Sequence, residues 1–141
     1  MRTLGIDYGD KRIGLAISDE LGIIANPLEV YYRKTLEEDF KHLEKIITEK
    51  KVNNIVIGLP INMDGTLGER AQLTKEFGEQ LASRFNLPII YVDERWTSIE
   101  SERILIESNV RREKRKTLID KMAAQNILQR YLDSPKTNKN S

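Results

Sequence analysis

At 141 residues, with 23 basic against 22 acidic side chains, the chain has the length of one ordinary domain with a real core, and its net charge of +1 points to no polyanion by itself. The lack of cysteine excludes a disulfide scaffold, a thiolate zinc site and a cysteine nucleophile, and the single histidine leaves carboxylates as the candidate metal ligands. No stretch approaches the apolar length of a membrane span, and Met1-Arg2-Thr3-Leu4 runs into a strand rather than a signal peptide, so a soluble cytoplasmic protein with no membrane partner is expected.

The chain begins as strands and ends as helices. Arg2 to Tyr8, Arg12 to Ser18 and roughly Ile23 to Tyr32 are short β-type runs separated by Gly9-Asp10-Lys11 and Asp19-Glu20-Leu21-Gly22, so an antiparallel meander is expected. Leu36, Phe40, Leu43 and Ile47 follow helical spacing, and Asn54 to Gly58 is a continuous apolar strand of the buried parallel type. A second helix carries Leu73, Phe77, Leu81 and Phe85, and a strand follows from Pro88 to Val92. Two more helices cover about Ser98 to Glu107 and Leu118 to Leu132. Thr35-x-x-Glu38, Thr66-x-x-Glu69, Thr97-x-x-Glu100 and Thr117-x-x-Asp120 fit or resemble the capping box and mark the four helix starts. This order predicts one α/β domain over residues 1–133: a mixed five-stranded sheet, three strands antiparallel and then parallel ones, with helices on both faces. Residues 134–141 are expected to form a disordered tail.

Carboxylates stand out at element ends. Asp7 lies in Gly5-Ile6-Asp7-Tyr8-Gly9, where the missing side chains of the glycines let a backbone or a phosphate approach. Asp93-Glu94-Arg95 follows an apolar strand, and since neighbours on a strand face opposite sides, one acid of the pair points into a site. Asp120 shares a helical stripe with Ala123, Ala124, Ile127 and Tyr131. Its plain explanation is a capping acid; against that, a carboxylate on an apolar stripe is costly unless a cation neutralises it, which favours a metal ligand. An all-oxygen cage suits Mg²⁺ or Mn²⁺, ions often shared with substrate phosphates.

The basic side chains are unevenly spread. Arg111, Arg112, Lys114, Arg115 and Lys116 crowd into a run read as a loop, and its position before Asp120 favours contact with a polyanion over simple solvation. Lys11 and Arg12 either clamp phosphate or decorate a turn. Asn62 and Asp64, in the loop after the buried strand, either orient substrate or water or serve the turn alone. His42 lies off its helix's apolar stripe and reads as solvated. Trp96 is expected to pack on the adjoining helix rather than stack a base.

Gly5 to Ala16, Gly58-Leu59-Pro60 with Asn62 to Thr66, Asp93-Glu94-Arg95, and Asp120 followed by Ala123-Ala124 and Ile127-Leu128-Gln129 together closely resemble the YqgF/RuvX family. The resemblance spans Thr3 to about Leu132. It implies a ribonuclease H-like fold and a nuclease that matures the 5′ end of precursor 16S ribosomal RNA, with Holliday-junction resolution as an older suggestion. It also implies that Asp7, Glu94 and Asp120 are catalytic and hold the metal, expected to be two Mg²⁺ or Mn²⁺ ions bridged by Asp7. Arg95, Lys11 or Arg12 would then offset charge on the nonbridging oxygens. Asn62, Arg112, Arg115 and Lys116 complete the expected substrate contacts, and the partner is structured RNA such as precursor rRNA, or branched DNA. The family more often carries Leu-Thr-Thr where this chain has Trp96-Thr97-Ser98. Two other readings remain. Gly5 to Gly9 also resembles the first phosphate hairpin of the actin, sugar-kinase and Hsp70 ATPases, which need a second lobe. A binding module that keeps the fold without catalysis is the other.

Overall fold

The computed structural model of the chain describes residues 1–62, 64–93 and 112–134, with 112–121 as helical backbone alone. One sheet holds β1 (Arg2–Tyr8), β2 (Arg12–Ser18), β3 (Ala25–Tyr32), β4 (Val52–Leu59) and β5 (Ile89–Asp93), in the order β3-β2-β1-β4-β5. The first three strands are antiparallel, and β4 and β5 run parallel to β1, the topology expected from the sequence. The described helices are α1 (Leu36–Lys50), α2 (Glu69–Phe85) and α3 (Arg112–Asp133). None among the described residues is long and apolar enough to cross a membrane.

Strand alternation sorts the core into two layers. Leu4 and Ile6 of β1 join Ile13, Leu15, Ile55 and Ile57 against Phe40 and Leu43 of α1 and Phe77 and Leu81 of α2. Tyr8 extends this row, stacking on Phe77 at 4.1 Å between centroids. The opposite face sets Ala16, Ala25 and Val56 against Ala124, Ile127, Leu128 and Leu132 of α3. A Cβ at Gly5 would lie 2.8 Å from Leu128 Cβ and 3.1 Å from the Ala124 carbonyl oxygen, so glycine is what lets α3 rest directly on the central strand. Further along this face, Thr3 Oγ1 donates to Asn54 Oδ1 at 2.7 Å and Asn54 Nδ2 to the Tyr131 hydroxyl at 3.4 Å, satisfying buried polar groups.

Several element boundaries differ from expectation for identifiable reasons. Thr35 does cap α1, accepting from the Glu38 N–H at 3.1 Å. Thr66 does not cap α2: its hydroxyl donates to Asp64 Oδ1 at 2.6 Å and accepts from Asn62 Nδ2 at 3.0 Å, and Gly68 takes the cap position. Helix α3 starts at Arg112 rather than Leu118, so Thr117 lies inside a helix and Arg112 to Lys116 are helical instead of a loop. Arginine, lysine and glutamate are strong helix formers, and no glycine or proline interrupts them. Strand β3 starts at Ala25 because Asp19 Oδ1 accepts from the N–H groups of Ile23 and Ile24, at 2.7 and 3.2 Å, folding them into the turn. Strands β4 and β5 differ from expectation by two residues or fewer at either end.

The buried stripes are also rotated from those expected. Leu36 and Leu73 are each 43% exposed, while Ile46 on α1 and Ala71 on α2 are buried. His42 is not simply solvated: its Nε2 lies 2.6 Å from Glu29 Oε1 and its ring stacks on Tyr31 at 4.2 Å. The helix expected over Ser98–Glu107 with its Thr97 cap, Trp96, and the tail beyond Ser134 lie outside the described residues.

Candidate active site

Asp7 is the penultimate residue of β1, partly buried, and shares with Thr3 and Gly5 the strand parity that faces α3. The turn after it is closed by the Gly9 N–H donating to the Arg12 carbonyl at 2.9 Å. A Cβ at Gly9 would sit 2.7 Å from that same carbonyl oxygen, so both glycines framing Asp7 admit backbone: Gly5 a helix, Gly9 the turn's own far side. Beside Asp7 opens a cleft of about 320 Å³ lined by Asp7, Asp10, Lys11, Arg12, Arg70 and the glycines at 9 and 14. The fold thus brings Asp7, Lys11 and Arg12 to one cleft.

Two arginines that sequence reasoning passed over contact this turn. Arg70, from the first turn of α2, places Nη1 2.9 Å from Asp10 Oδ1 and donates from Nη2 to the Tyr8 carbonyl at 3.1 Å. The available signal was its position, since a cation in the first turn of a helix opposes the helix dipole. Arg33 donates from Nη1 to the Gly9 carbonyl at 3.0 Å, its backbone N–H meets the Lys11 carbonyl at 2.9 Å, and its guanidinium lies 4.7 Å from the Tyr8 ring centroid.

Arg33 is in turn anchored by Asp39, which is fully buried and accepts from Arg33 Nε at 3.1 Å and from the Lys34 N–H at 2.9 Å. Burial pushes the Asp39 carboxyl up, but the hydrogen bonds from Lys34, Arg33 and Tyr31, with the Arg33 charge, outweigh it and hold the group below its ordinary value. Tyr31 is pushed up to about 12, first by burial and then by its hydrogen bond to Asp39 and that residue's charge. The sequence signal for Asp39 was its spacing of four and seven from the buried Leu43 and Ile46.

The remaining expected residues approach from other elements. Asp93 ends β5, at the same carboxyl edge of the parallel strands as Asp7, paired with Leu59. On β5, Ile89 and Tyr91 pack toward α1 and α2, and Ile90 and Val92 toward α3. Asp93 has the parity of Tyr91. Glu94 and Arg95 lie outside the described residues.

Helix α3 runs antiparallel to β1: Tyr131 lies by Asn54, the partner of Thr3, while Leu128 and Ala124 lie on Gly5. From Ala124, one turn back along the helix covers about 6 Å and reaches position 120. From Gly5, two residues along the strand cover about 7 Å and reach Asp7. The helix backbone therefore brings position 120 to the level of Asp7. Arg112, Arg115 and Lys116 precede it on the same helix, and the side chains from 112 to 121 lie outside the described residues.

Asn62 is occupied by its loop. Its Nδ2 donates to Thr66 Oγ1 at 3.0 Å, its N–H to the Thr66 carbonyl at 2.9 Å, and its carbonyl accepts from Gly65 at 2.8 Å. Of its two readings, turn chemistry is the one the geometry displays. Among the described residues no three of His, Cys, Asp and Glu cluster to hold a metal. The donors at the cleft, Asp7 and Asp10, are carboxylates, and the single histidine is engaged with Glu29. Hard oxygen donors of this kind fit Mg²⁺ or Mn²⁺.

A family model described as RuvX, Holliday junction resolvase, matches residues 1–134. A protein of Halothermothrix orenii named "Putative pre-16S rRNA nuclease" is 50% identical over 133 residues, covering 94% of this chain and 95% of the relative. One of the same name from Thermoanaerobacter pseudethanolicus is 50% identical over 137 residues, covering 96% and 99%. Among solved structures, the Fowlpox virus resolvase bound to Holliday junction DNA superposes with a TM-score of 0.60 at 13% identity, over 94% of this chain and 97% of that one. At that identity the likeness establishes the ribonuclease H-like fold.

Proposed function

Because the chain belongs to the RuvX family, we propose that it is a cytoplasmic, metal-dependent nuclease that hydrolyses phosphodiester bonds at the 5′ end of precursor 16S rRNA during ribosome biogenesis. The observation that carries this reading is Asp7 at the end of the central strand, beside a cleft whose cations are Lys11, Arg12 and Arg70, with α3 bringing position 120 to its level. The near-full-length identity to relatives named as pre-16S rRNA nucleases supports the substrate.

Asp7, Glu94 and Asp120 are the residues that would hold two Mg²⁺ or Mn²⁺ ions, which when bound activate water and neutralise charge on the phosphodiester. Asp93 shares the strand parity of Tyr91, on the side of α1 and α2 rather than on the α3 face of Asp7, which supports Glu94 as the ligand of the pair. Lys11, Arg12 and Arg95 orient the phosphate and offset charge on its nonbridging oxygens as it builds in the transition state. Arg112, Arg115 and Lys116, on the turns of α3 before Asp120, hold neighbouring phosphates. The carboxylates need no histidine base, in keeping with a His42 that is spent on Glu29.

Branched DNA is the second reading, favoured by the family's description as Holliday junction resolvases. Purified protein given Mg²⁺ or Mn²⁺ with a structured precursor rRNA fragment and, separately, a four-way DNA junction decides between them. Cleavage of the RNA with product ends at one position is expected. Preferential cleavage of the junction would replace the first substrate by the second, and inertness toward both with retained binding would reduce the protein to a binding module. Within the acid pair, Glu94→Gln should cost orders of magnitude in rate while Asp93→Asn acts mainly on stability; the reverse ranking would overturn the assignment of Glu94.

A further inference from the structure

We infer that Arg70 is a phosphate-binding residue of the cleft whose charge is held on Asp10 until nucleic acid displaces it. This rests on the nuclease reading above and adds a residue and a competition to it. The two arginines on the Tyr8–Lys11 turn differ in what holds them. Arg33 is bound to a carboxylate with no exposure, its own side chain is 19% exposed, and it stacks on Tyr8, so it is fixed in place. Arg70 has a side chain 48% exposed, and its partner Asp10 is 74% exposed.

An exposed ion pair of this kind is screened by solvent and weak. A phosphate offers the guanidinium a stronger and bidentate acceptor, so exchange from Asp10 to a phosphate is downhill. The bond from Arg70 Nη2 to the Tyr8 carbonyl keeps the head group one residue from Asp7 throughout the exchange. The same cleft wall carries Lys11 and Arg12, so the released guanidinium completes a three-cation surface, and Asp10 is the acid that opposes it. In the free protein Asp10 therefore acts as a stand-in for substrate phosphate.

The Asp7→Asn protein, expected to bind without cleaving, is given a fluorescent four-way DNA junction and an RNA hairpin, with affinity measured against salt. Arg70→Gln should weaken binding several-fold at low salt and lower the slope of log affinity against log salt by about 0.7–0.9. Arg70→Lys should keep most of that slope. Asp10→Asn should tighten binding roughly two- to fivefold, and that gain should vanish when Arg70→Gln is also present, the mark of direct coupling. Unchanged affinity and slope in Arg70→Gln, or a gain from Asp10→Asn that survives undiminished beside it, would overturn the inference. A drop in melting temperature with an unchanged slope would assign Arg70 to holding the turn, and would overturn it equally. Failure of the Asp7→Asn protein to bind either probe would remove the nuclease reading itself, whereas binding indifferent to Arg70 removes only this inference.

Discussion

The two faces of the sheet are built on different principles. Toward α1 and α2 the layer is thick with large side chains: Phe40, Phe77, Leu43 and Leu81 interdigitate with Leu4, Ile6, Ile55 and Ile57. Toward α3 the middle of the sheet is small, with Gly5, Ala16 and Ala25 letting the backbone of a helix that carries Ala124, Ile127 and Leu128 lie on the central strand. A thick layer supplies stability through buried area and tolerates slight shifts. A thin one fixes one element against another at nearly atomic register. Asp7 has the strand parity of the thin face and the α3 backbone brings position 120 to its level, so a helix displaced by an ångström would spoil the register between the two.

The difference can be broken from either side. Leu81→Ala, in the thick layer far along α2 from the cleft, should cost about 2–5 kcal/mol of stability and leave turnover per folded molecule unchanged. Denaturant unfolding beside activity normalised to folded protein checks both halves. Gly5→Ala should cost less stability, about 1–3 kcal/mol, yet cut turnover per folded molecule sharply, because the new methyl meets Leu128 Cβ and the Ala124 carbonyl and displaces α3. Equal effects on turnover from the two substitutions would erase the distinction between the faces.

The buried Asp39 links the two regions with a smaller expected effect, since it belongs to the thick face yet reaches the cleft through Arg33. Its carboxyl is held below the ordinary value of 3.8, so its contribution to stability is present above that pH and is lost as pH falls through the folded-state value. Asp39→Asn should therefore melt lower than wild type at pH 7, with the gap closing below about pH 4. A gap independent of pH would mean that charge at Asp39 is not what anchors Arg33.

Much of this architecture was legible in the sequence because it is written in local patterns. Arg2 to Tyr8 and Arg12 to Ser18 alternate cleanly between turn signals, and both strands have the expected limits. Thr35 and Glu38 sit at capping spacing, and the cap forms, the Thr35 hydroxyl accepting from the Glu38 N–H and donating to the Glu38 carboxylate. Thr66 has the same spacing to Glu69 but a nearer acceptor in Asp64, which a pattern of four residues does not reveal. The start of α3 was misjudged by treating clustered charge as loop, when arginine and lysine are good helix formers. At the site, Asp7 was marked by its flanking glycines. Arg33 and Arg70 reach it from positions 26 and 63 residues away in sequence, and only the fold makes them neighbours of the turn.

If Asp7 is a metal-holding catalytic residue of a nuclease, the rate of the Asp7→Asn protein must show it. Metal-dependent cleavage of precursor rRNA and of the four-way junction should fall by orders of magnitude per folded molecule. Affinity for the same substrates at matched salt and the melting temperature should stay close to those of wild type, because the basic residues that hold phosphate are untouched. Wild-type turnover in a folded Asp7→Asn protein would mean that Asp7 is not catalytic.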